Sequence, residues 1–149
     1  MKSVGELCEV FRAEGLRITP QRQHIFSALD QLHGTHPTAD SLYAAVVDEL
    51  PTISLKTVYQ TLNDLVRVGE LTQLDLATGS FRFDTTLDPH HHLVCDDCGA
   101  VFDVHADFDA VRPPVGSADQ FAVASTEITF RGRCNDCETR PQDPHNNPK

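Results

Sequence analysis

The chain has 149 residues and carries 12 basic against 22 acidic side chains, a formal net charge of −10 at pH 7. This length suggests one compact domain or two very small ones. The acidic balance argues against nonspecific coating of nucleic acid, which needs clustered Lys and Arg. The N-terminus lacks a basic region followed by an apolar one, and no long apolar stretch follows it. We therefore expect no membrane span, no signal peptide and a cytoplasmic location.

Capping residues and apolar periodicity predict helices in the first half of the chain. Ser, Thr and Pro at the starts, and Pro or Gly at the ends, indicate helices over residues 20–32, 39–50 and 55–68. An N-terminal helix carries Cys8, which we interpret as a packing residue. Two short apolar runs around a Thr-Gly turn at residues 71–84 predict a β-hairpin. Three helices followed by a hairpin predict a winged helix.

The polar face of the third of these helices has residue types that suit a DNA major groove. Amides pair with adenine edges, Lys with guanine or phosphate, and a Tyr ring with a thymine methyl group. Arginines upstream of the helix are candidates for phosphate contacts. The alternative is an ordinary solvated helix face, which polar stripes usually are. The candidate DNA-binding residues are Arg17, Arg22, Lys56, Thr57, Tyr59, Gln60 and Asn63.

After Asp84 the signals change to strands, which predicts a second, smaller domain. We expect strands over 92–95, 100–104 and 121–131, and one or two turns of helix at 108–111. The predicted class is α+β: a winged helix with a short hinge over residues 1–84, a small α/β domain with metal-binding motifs over 85–138, and a disordered tail over 139–149.

Four of the five cysteines form two close pairs with metal-ligand spacing. Cys95-x-x-Cys98 and Cys134-x-x-Cys137 are separated by 35 residues. Two thiolate pairs on two turns make a closed tetrahedral site, for which zinc is the best-suited metal. Such a site has no open position, so its role is structural. The alternative is two unrelated reducible thiol pairs.

The run His90-His91-His92 lies three residues before the first cysteine pair. In a strand, His90 and His92 point to the same face, so they can share one ion. Asp84 and Asp103 supply carboxylates nearby, and this mixed nitrogen and oxygen set suits Fe²⁺ or Mn²⁺. The alternative is an ordinary polar strand edge. On the residues alone, His36 is a loop residue.

Together these motifs resemble the ferric uptake regulator family. The resemblance rests on GLRITPQR at 15–22, HPTAD at 36–40, SLKTVYQTL at 54–62, HHHLVCDDCG at 90–99 and CNDC at 134–137. It implies a homodimeric, metal-dependent transcriptional repressor, and not an enzyme, that binds a double-stranded DNA operator. It also implies that the small α/β domain over 85–138 serves dimerisation as well as metal binding. It also places Tyr59 and Gln60 on the recognition helix.

The same resemblance implies a regulatory metal site that includes His36. The implied ligands are His36, Asp84, His90, His92 and Asp103. Both carboxylates are Asp, as in the peroxide-sensing branch of the family, where Fe²⁺ and peroxide lead to oxidation of a histidine, here His36 or His90. An iron-level sensor of the same family is the alternative. Some members have a further site, whose ligands would fall at Pro89 and Thr126, so we predict that this site is absent.

Two hypotheses from other classes remain. A zinc hydrolase or deaminase is one, but a zinc deaminase needs His-x-Glu before Pro-Cys-x-x-Cys, whereas no Glu lies near the His run and Val94 precedes Cys95. The other is a structural zinc protein whose His run binds nothing; metal-dependent DNA binding would then be absent.

Overall fold

The computed structural model describes residues 1–108, 111–114, 116 and 121–139. The chain divides into two compact units between Pro89 and His90, whereas we placed the domain boundary after residue 84. The predicted tail lies outside the described residues except for Thr139. The predicted helical turn at 108–111 lies partly outside them.

The first unit contains four helices: α1 (Val4–Ala13), α2 (Pro20–Gln31), α3 (Ala39–Val47) and α4 (Leu55–Arg67). Each begins at a Ser or Thr whose hydroxyl accepts a hydrogen bond from a backbone N–H in the first turn. Helix α3 ends earlier than predicted, because residues 48–52 turn to bring Ile53 into the core. None of the helices in the described part of the chain is long and apolar enough to cross a membrane.

The core of the first unit lies between these four helices. The rings of Phe11 and Phe26 meet edge to face, with centroids 5.0 Å apart. On α4 the buried residues follow helical spacing, with Val58, Leu62 and Leu65 almost fully enclosed. The opposite face of α4 therefore points to solvent.

A two-stranded hairpin completes the first unit. Strands β1 (Thr72–Leu74) and β2 (Arg82–Asp84) pair antiparallel, with Thr72 opposite Asp84. The turn between them uses positive φ at Ala77 (52°) and Gly79 (86°). Helices followed by a hairpin are the arrangement that the sequence predicted, and the α+β class is confirmed.

The second unit contains the strands β3 (His91–Cys95), β4 (Val101–Val104) and β5 (Thr129–Gly132), followed by a one-turn helix, α5 (Asn135–Glu138). The strands form one sheet in the order β4-β3-β5. Strand β3 pairs antiparallel with β4 and parallel with β5. Because side chains alternate along a strand, Val94 is buried while its neighbour Leu93 is 47% exposed.

The predicted long strand over 121–131 is wrong over most of its length. Regular pairing begins only at Thr129. Phe121 is 73% exposed and Val123 46% exposed, so this stretch offers no buried face to fix a register. The slip in alternation near Ser125 fits this outcome.

An ion pair joins α2 to α4 inside the first unit. Arg22 Nη2 lies 2.5 Å from Asp64 Oδ2, and both side chains are mostly buried, at 12% and 16% exposure. The guanidinium also lies over the Phe11 ring and donates to the Arg17 carbonyl. Asp64 Oδ1 accepts from Arg67, whose side chain is 65% exposed. The buried pair thus fixes the orientation of α4, whereas the exposed pair contributes little.

We expect Arg22→Gln to lower the free energy of unfolding of the first unit by about 3 kcal/mol, because it leaves Asp64 buried without its partner. The matched control Arg67→Gln removes the exposed partner of the same carboxylate and should cost less than about 1 kcal/mol. Urea unfolding followed by helical circular dichroism measures both. Equal losses for the two variants would contradict the assignment.

Candidate metal and DNA-binding sites

The four paired cysteines converge in the second unit. Cys95 ends β3 and Cys98 follows on a tight turn, while Cys134 and Cys137 flank the start of α5. Their sulfur atoms all lie within 4.8 Å of one another, and none forms a disulfide. Four sulfur ligands from two turns fit a closed tetrahedral Zn²⁺ site, as the spacing predicted.

Two ion pairs connect the two cysteine turns, and the sequence analysis did not identify them. Arg131 Nη1 lies 2.8 Å from Asp96 Oδ1, and Arg133 Nε lies 2.6 Å from Asp97 Oδ2. Arg133 also donates to the Cys137 carbonyl. The acidic pair inside the first cysteine motif and the basic residues just before the second were the available signal.

The local hydrogen bonds give the thiols unequal acidities. The backbone N–H of Cys134 donates to Cys95 Sγ at 3.3 Å, and with the N–H of Cys98 it lowers the pKa of Cys95 to about 6. Hydrogen bonds with the Cys98 and Cys134 thiols raise the pKa of Cys137 to about 12. At neutral pH the metal-free cluster therefore already holds a thiolate at Cys95, and a proton at Cys137 must leave when a metal binds.

Two of the candidate regulatory ligands lie together in the first unit. His36 is in the loop between α2 and α3, and Asp84 is the last residue of β2. His36 Nε2 lies 3.8 Å from Asp84 Oδ2, and both side chains are buried. The backbone N–H of Thr86 donates to the other carboxylate oxygen, Asp84 Oδ1, at 2.7 Å. The carboxylate is thus oriented with one oxygen toward the imidazole.

The other three candidate ligands lie together in the second unit. His92 on β3 stands directly opposite Asp103 on β4, so their side chains share one face of the sheet. His90 precedes β3, its ring centroid lies 4.6 Å from that of His92, and its Nε2 lies 3.4 Å from Asp103 Oδ1. Two imidazoles and a carboxylate without sulfur fit Fe²⁺ or Mn²⁺ chemistry.

Three further histidines, His33, His91 and His105, are not among the candidate ligands. His91 points to the opposite face of the sheet from His92, where its ring contacts Phe108. His33 Nδ1 lies 2.5 Å from Thr85 Oγ1. His105 lies beside Asp103, with Nε2 3.9 Å from Oδ2, a proximity that the sequence analysis did not anticipate.

The candidate DNA-binding face on α4 is open to solvent. Thr57 is half-buried and shares a hydrogen bond of 2.9 Å with Ser54 at the start of the helix. Of the two upstream arginines, Arg17 is exposed, whereas Arg22 is held by Asp64. Arg22 therefore orients the helix, and its predicted phosphate contact stays a prediction. The exposed candidates on the helix are Lys56, Tyr59, Gln60 and Asn63.

The unequal thiol acidities predict the number of protons released when Zn²⁺ binds to the metal-free protein. At pH 7 we expect about three protons per ion and not four, because Cys95 is already a thiolate. Below pH 6 the number should approach four, so affinity should fall more steeply with acid. Calorimetry in buffers of different ionisation enthalpy measures the number. Cys8→Ala, in the core of the first unit, is the control and should leave the number of released protons unchanged. Release of four protons by the wild type at pH 7 would contradict the prediction.

Comparisons with known proteins agree with this geometry. The profile of the ferric uptake regulator family matches residues 13–131. The peroxide-responsive repressor PerR of Staphylococcus saprophyticus is 36% identical over 130 residues, which cover 87% of each chain. The crystal structure of the Vibrio cholerae ferric uptake regulator has a TM-score of 0.70 at 28% identity, over 85% of this chain and 98% of that one.

A structure of PerR from Streptococcus pyogenes, described as the basis of peroxide sensing and gene regulation, has a TM-score of 0.53 at 27% identity. The match covers 92% of this chain and 94% of that one. The family profile matches more than half of the chain, and the relatives found by sequence and by fold belong to the same group of regulators. The resemblance inferred from the motifs is therefore confirmed. This chain belongs to the ferric uptake regulator family.

Proposed function

We propose that this chain is a cytoplasmic, homodimeric repressor that binds operator DNA when Fe²⁺ or Mn²⁺ is bound and releases it when peroxide oxidises the iron-loaded form. The observation that carries the proposal is the set of buried imidazole and carboxylate ligands, with Asp at both carboxylate positions. Support comes from relatives named as peroxide-responsive repressors. Family membership makes the chain a transcription regulator and not a zinc hydrolase or deaminase.

The cysteine cluster has a structural role in this proposal. Zn²⁺ held by Cys95, Cys98, Cys134 and Cys137 joins the end of β3 to α5. A unit with so small a sheet has little apolar core, so the metal supplies part of its folding free energy.

The regulatory ion would use ligands from both units. We propose that His36 and Asp84 of the first unit and His90, His92 and Asp103 of the second bind the same Fe²⁺ or Mn²⁺. An ion held in this way connects the helices that read DNA to the unit that forms the dimer. Metal affinity and DNA affinity must then be reciprocally coupled, by about 1–3 kcal/mol if the coupling is typical.

Peroxide sensing requires a ligand that oxidation can alter. Fe²⁺ bound by these residues would activate hydrogen peroxide for oxidation of a ligand, chemistry that Mn²⁺ does not readily provide. By the resemblance to the family, the imidazoles of His36 and His90 are the candidates for oxidation; they lie beside Asp84 and Asp103 respectively. In the net step one peroxide oxygen would enter a ring C–H bond and the other would leave as water. The oxidised ring would no longer bind the ion, and metal-dependent binding to DNA would be lost.

An exposed apolar row on the second unit supports a homodimer. Leu93 on β3 is in register with Phe102 on β4 and with Phe130 on β5. These side chains are 47%, 50% and 38% exposed in the single chain. A row of three large apolar side chains across a sheet marks an interaction surface. A second copy of the chain, which presents the same row, can cover it about a two-fold axis.

The exposed face of α4 supports DNA recognition. Lys56, Tyr59, Gln60 and Asn63 are free of the core, and the Arg22–Asp64 pair holds the helix that carries them. In a symmetric dimer two such helices can read two half-sites of an operator.

The decisive test compares iron and manganese forms of the protein. With a DNA duplex selected from a random pool by the Mn²⁺-loaded protein, both forms should bind, and low peroxide should abolish binding only of the iron form. Mass spectrometry should then find one added oxygen on the peptide bearing His36 or His90. If the iron form keeps its affinity and neither peptide gains oxygen, an iron-level sensor replaces the peroxide sensor.

Ligand variants provide the control for this test. His90→Ala and His92→Ala should lose metal-dependent binding while the fold is retained, whereas His24→Ala, on the surface of α2, should behave as the wild type. Metal-independent binding by wild type and variants alike would favour the structural zinc protein.

The recognition helix is tested by Gln60→Ala. We expect affinity for the selected duplex to fall by about 1–3 kcal/mol, because an amide pair to a base edge is lost. The melting temperature should not change, since the side chain is exposed. Gln31→Ala, an exposed Gln at the end of α2, is the matched control. Equal affinities of the two variants would remove Gln60 from the interface.

A further inference from the structure

The backbone of His36 has an unusual conformation. Its φ is +50°, in the left-handed region that few residues other than Gly adopt. It also precedes Pro37, and residues before Pro favour extended backbone. A side chain in this position persists only where its surroundings hold it there. The groups that hold the His36 backbone in this conformation therefore contribute to the function of His36.

Strand β2 supplies such groups at three consecutive residues. Arg82 Nη1 donates to the His36 carbonyl at 3.3 Å. The Phe83 N–H donates to the Pro37 carbonyl at 2.9 Å. Asp84 Oδ2 lies 3.8 Å from His36 Nε2. The strand thus contacts the carbonyl of His36, the next carbonyl and the imidazole.

Arg82 also reaches the turn of the hairpin. Its Nε donates to Thr78 Oγ1 at 3.5 Å, and that hydroxyl donates to the Ser80 carbonyl at 3.3 Å. The side chain is half-buried. A planar guanidinium presents several donors in a fixed geometry, so Arg82 can hold two acceptors at a set separation, which a Lys cannot do.

We infer that Arg82 is a positioning residue for the regulatory metal site. It holds the His36 carbonyl so that the imidazole stays beside Asp84, and it links this ligand to the hairpin turn at 77–80. The inference rests on the proposed function for the identity of the site. Metal binding at His36 should then order the hairpin turn, and a loosened turn should weaken metal binding.

The test measures Mn²⁺ binding by the zinc-loaded dimer without DNA. Arg82→Gln should weaken Mn²⁺ binding about tenfold, the usual effect of losing a group that orients a ligand. Arg82→Lys keeps the charge without the fork and should recover only part of the affinity. The matched control is Arg12→Gln, which removes an exposed arginine paired with Glu9 on α1 and should leave affinity unchanged.

A second measurement needs no metal at the regulatory site. Amide hydrogen exchange of Phe83 reports the bond to the Pro37 carbonyl, and Arg82→Gln should increase its rate while amides in α4 keep theirs. If Arg82→Gln fails to fold, Arg82→Lys and Thr78→Ala provide the same comparison. Unchanged Mn²⁺ affinity in a folded variant overturns the inference, even if DNA affinity falls, because Arg82 would then contact DNA directly or stabilise the fold only.

Failure of the inference and failure of the proposed function give different results. If His36→Ala binds Mn²⁺ as the wild type does, the regulatory site is misassigned and the proposed function fails. Exchange of the Phe83 amide then decides whether Arg82 holds the loop. If His36→Ala loses Mn²⁺ while Arg82→Gln does not, the function stands and the role of Arg82 is rejected.

Discussion

Alternation of side chains along β3 is the constraint on which most of the second unit depends. His92 faces Asp103 of the neighbouring strand on one side, and Leu93 stands between Phe102 and Phe130 on the other. The strand then ends at Cys95, which enters the thiol cluster. A shift of one residue in register would exchange the two faces and place the proposed metal ligands among apolar side chains. The proposed metal ligands, the apolar row and the cysteine cluster thus all depend on the pairing register of β3.

In the first unit, an ion pair makes it possible for an acidic chain to present the proposed DNA-binding helix, α4. Asp64 lies on α4 itself, yet its two oxygens are taken by Arg22 and Arg67. Its charge is thereby neutralised close to the exposed face. The net charge of −10 limits nonspecific attraction to DNA phosphates, so recognition in the proposed dimer would depend more on base contacts and on the spacing of the two α4 helices.

Local signals in the sequence were sufficient for the elements that they control. Ser and Thr caps marked the helix starts, and the cysteine spacing identified the thiol cluster. The predicted strand before Thr129 was wrong because a strand requires a pairing partner and a buried face, and composition reveals neither. The positive charge of Arg22 suggested a phosphate contact, and its pairing with Asp64 is visible only in the folded chain. On the residues alone His36 was a loop residue, because Asp84 lies beside it only in the folded chain; the resemblance carried by the HPTAD motif made it a candidate ligand.

The cysteine cluster and the proposed His/Asp site differ in ligand type, and this difference affects which metal each one binds. Zn²⁺ binds nitrogen and oxygen ligands more tightly than Fe²⁺ or Mn²⁺ does, so a site of His and Asp alone would not exclude it. Four thiolates are a better zinc site, and Cys95 is ready to bind because its pKa is lowered to about 6. Cys95 follows His92 by three residues, about 10 Å along a strand. The first equivalent of zinc therefore fills the sulfur site, and only a further metal ion can occupy the proposed sulfur-free ligands.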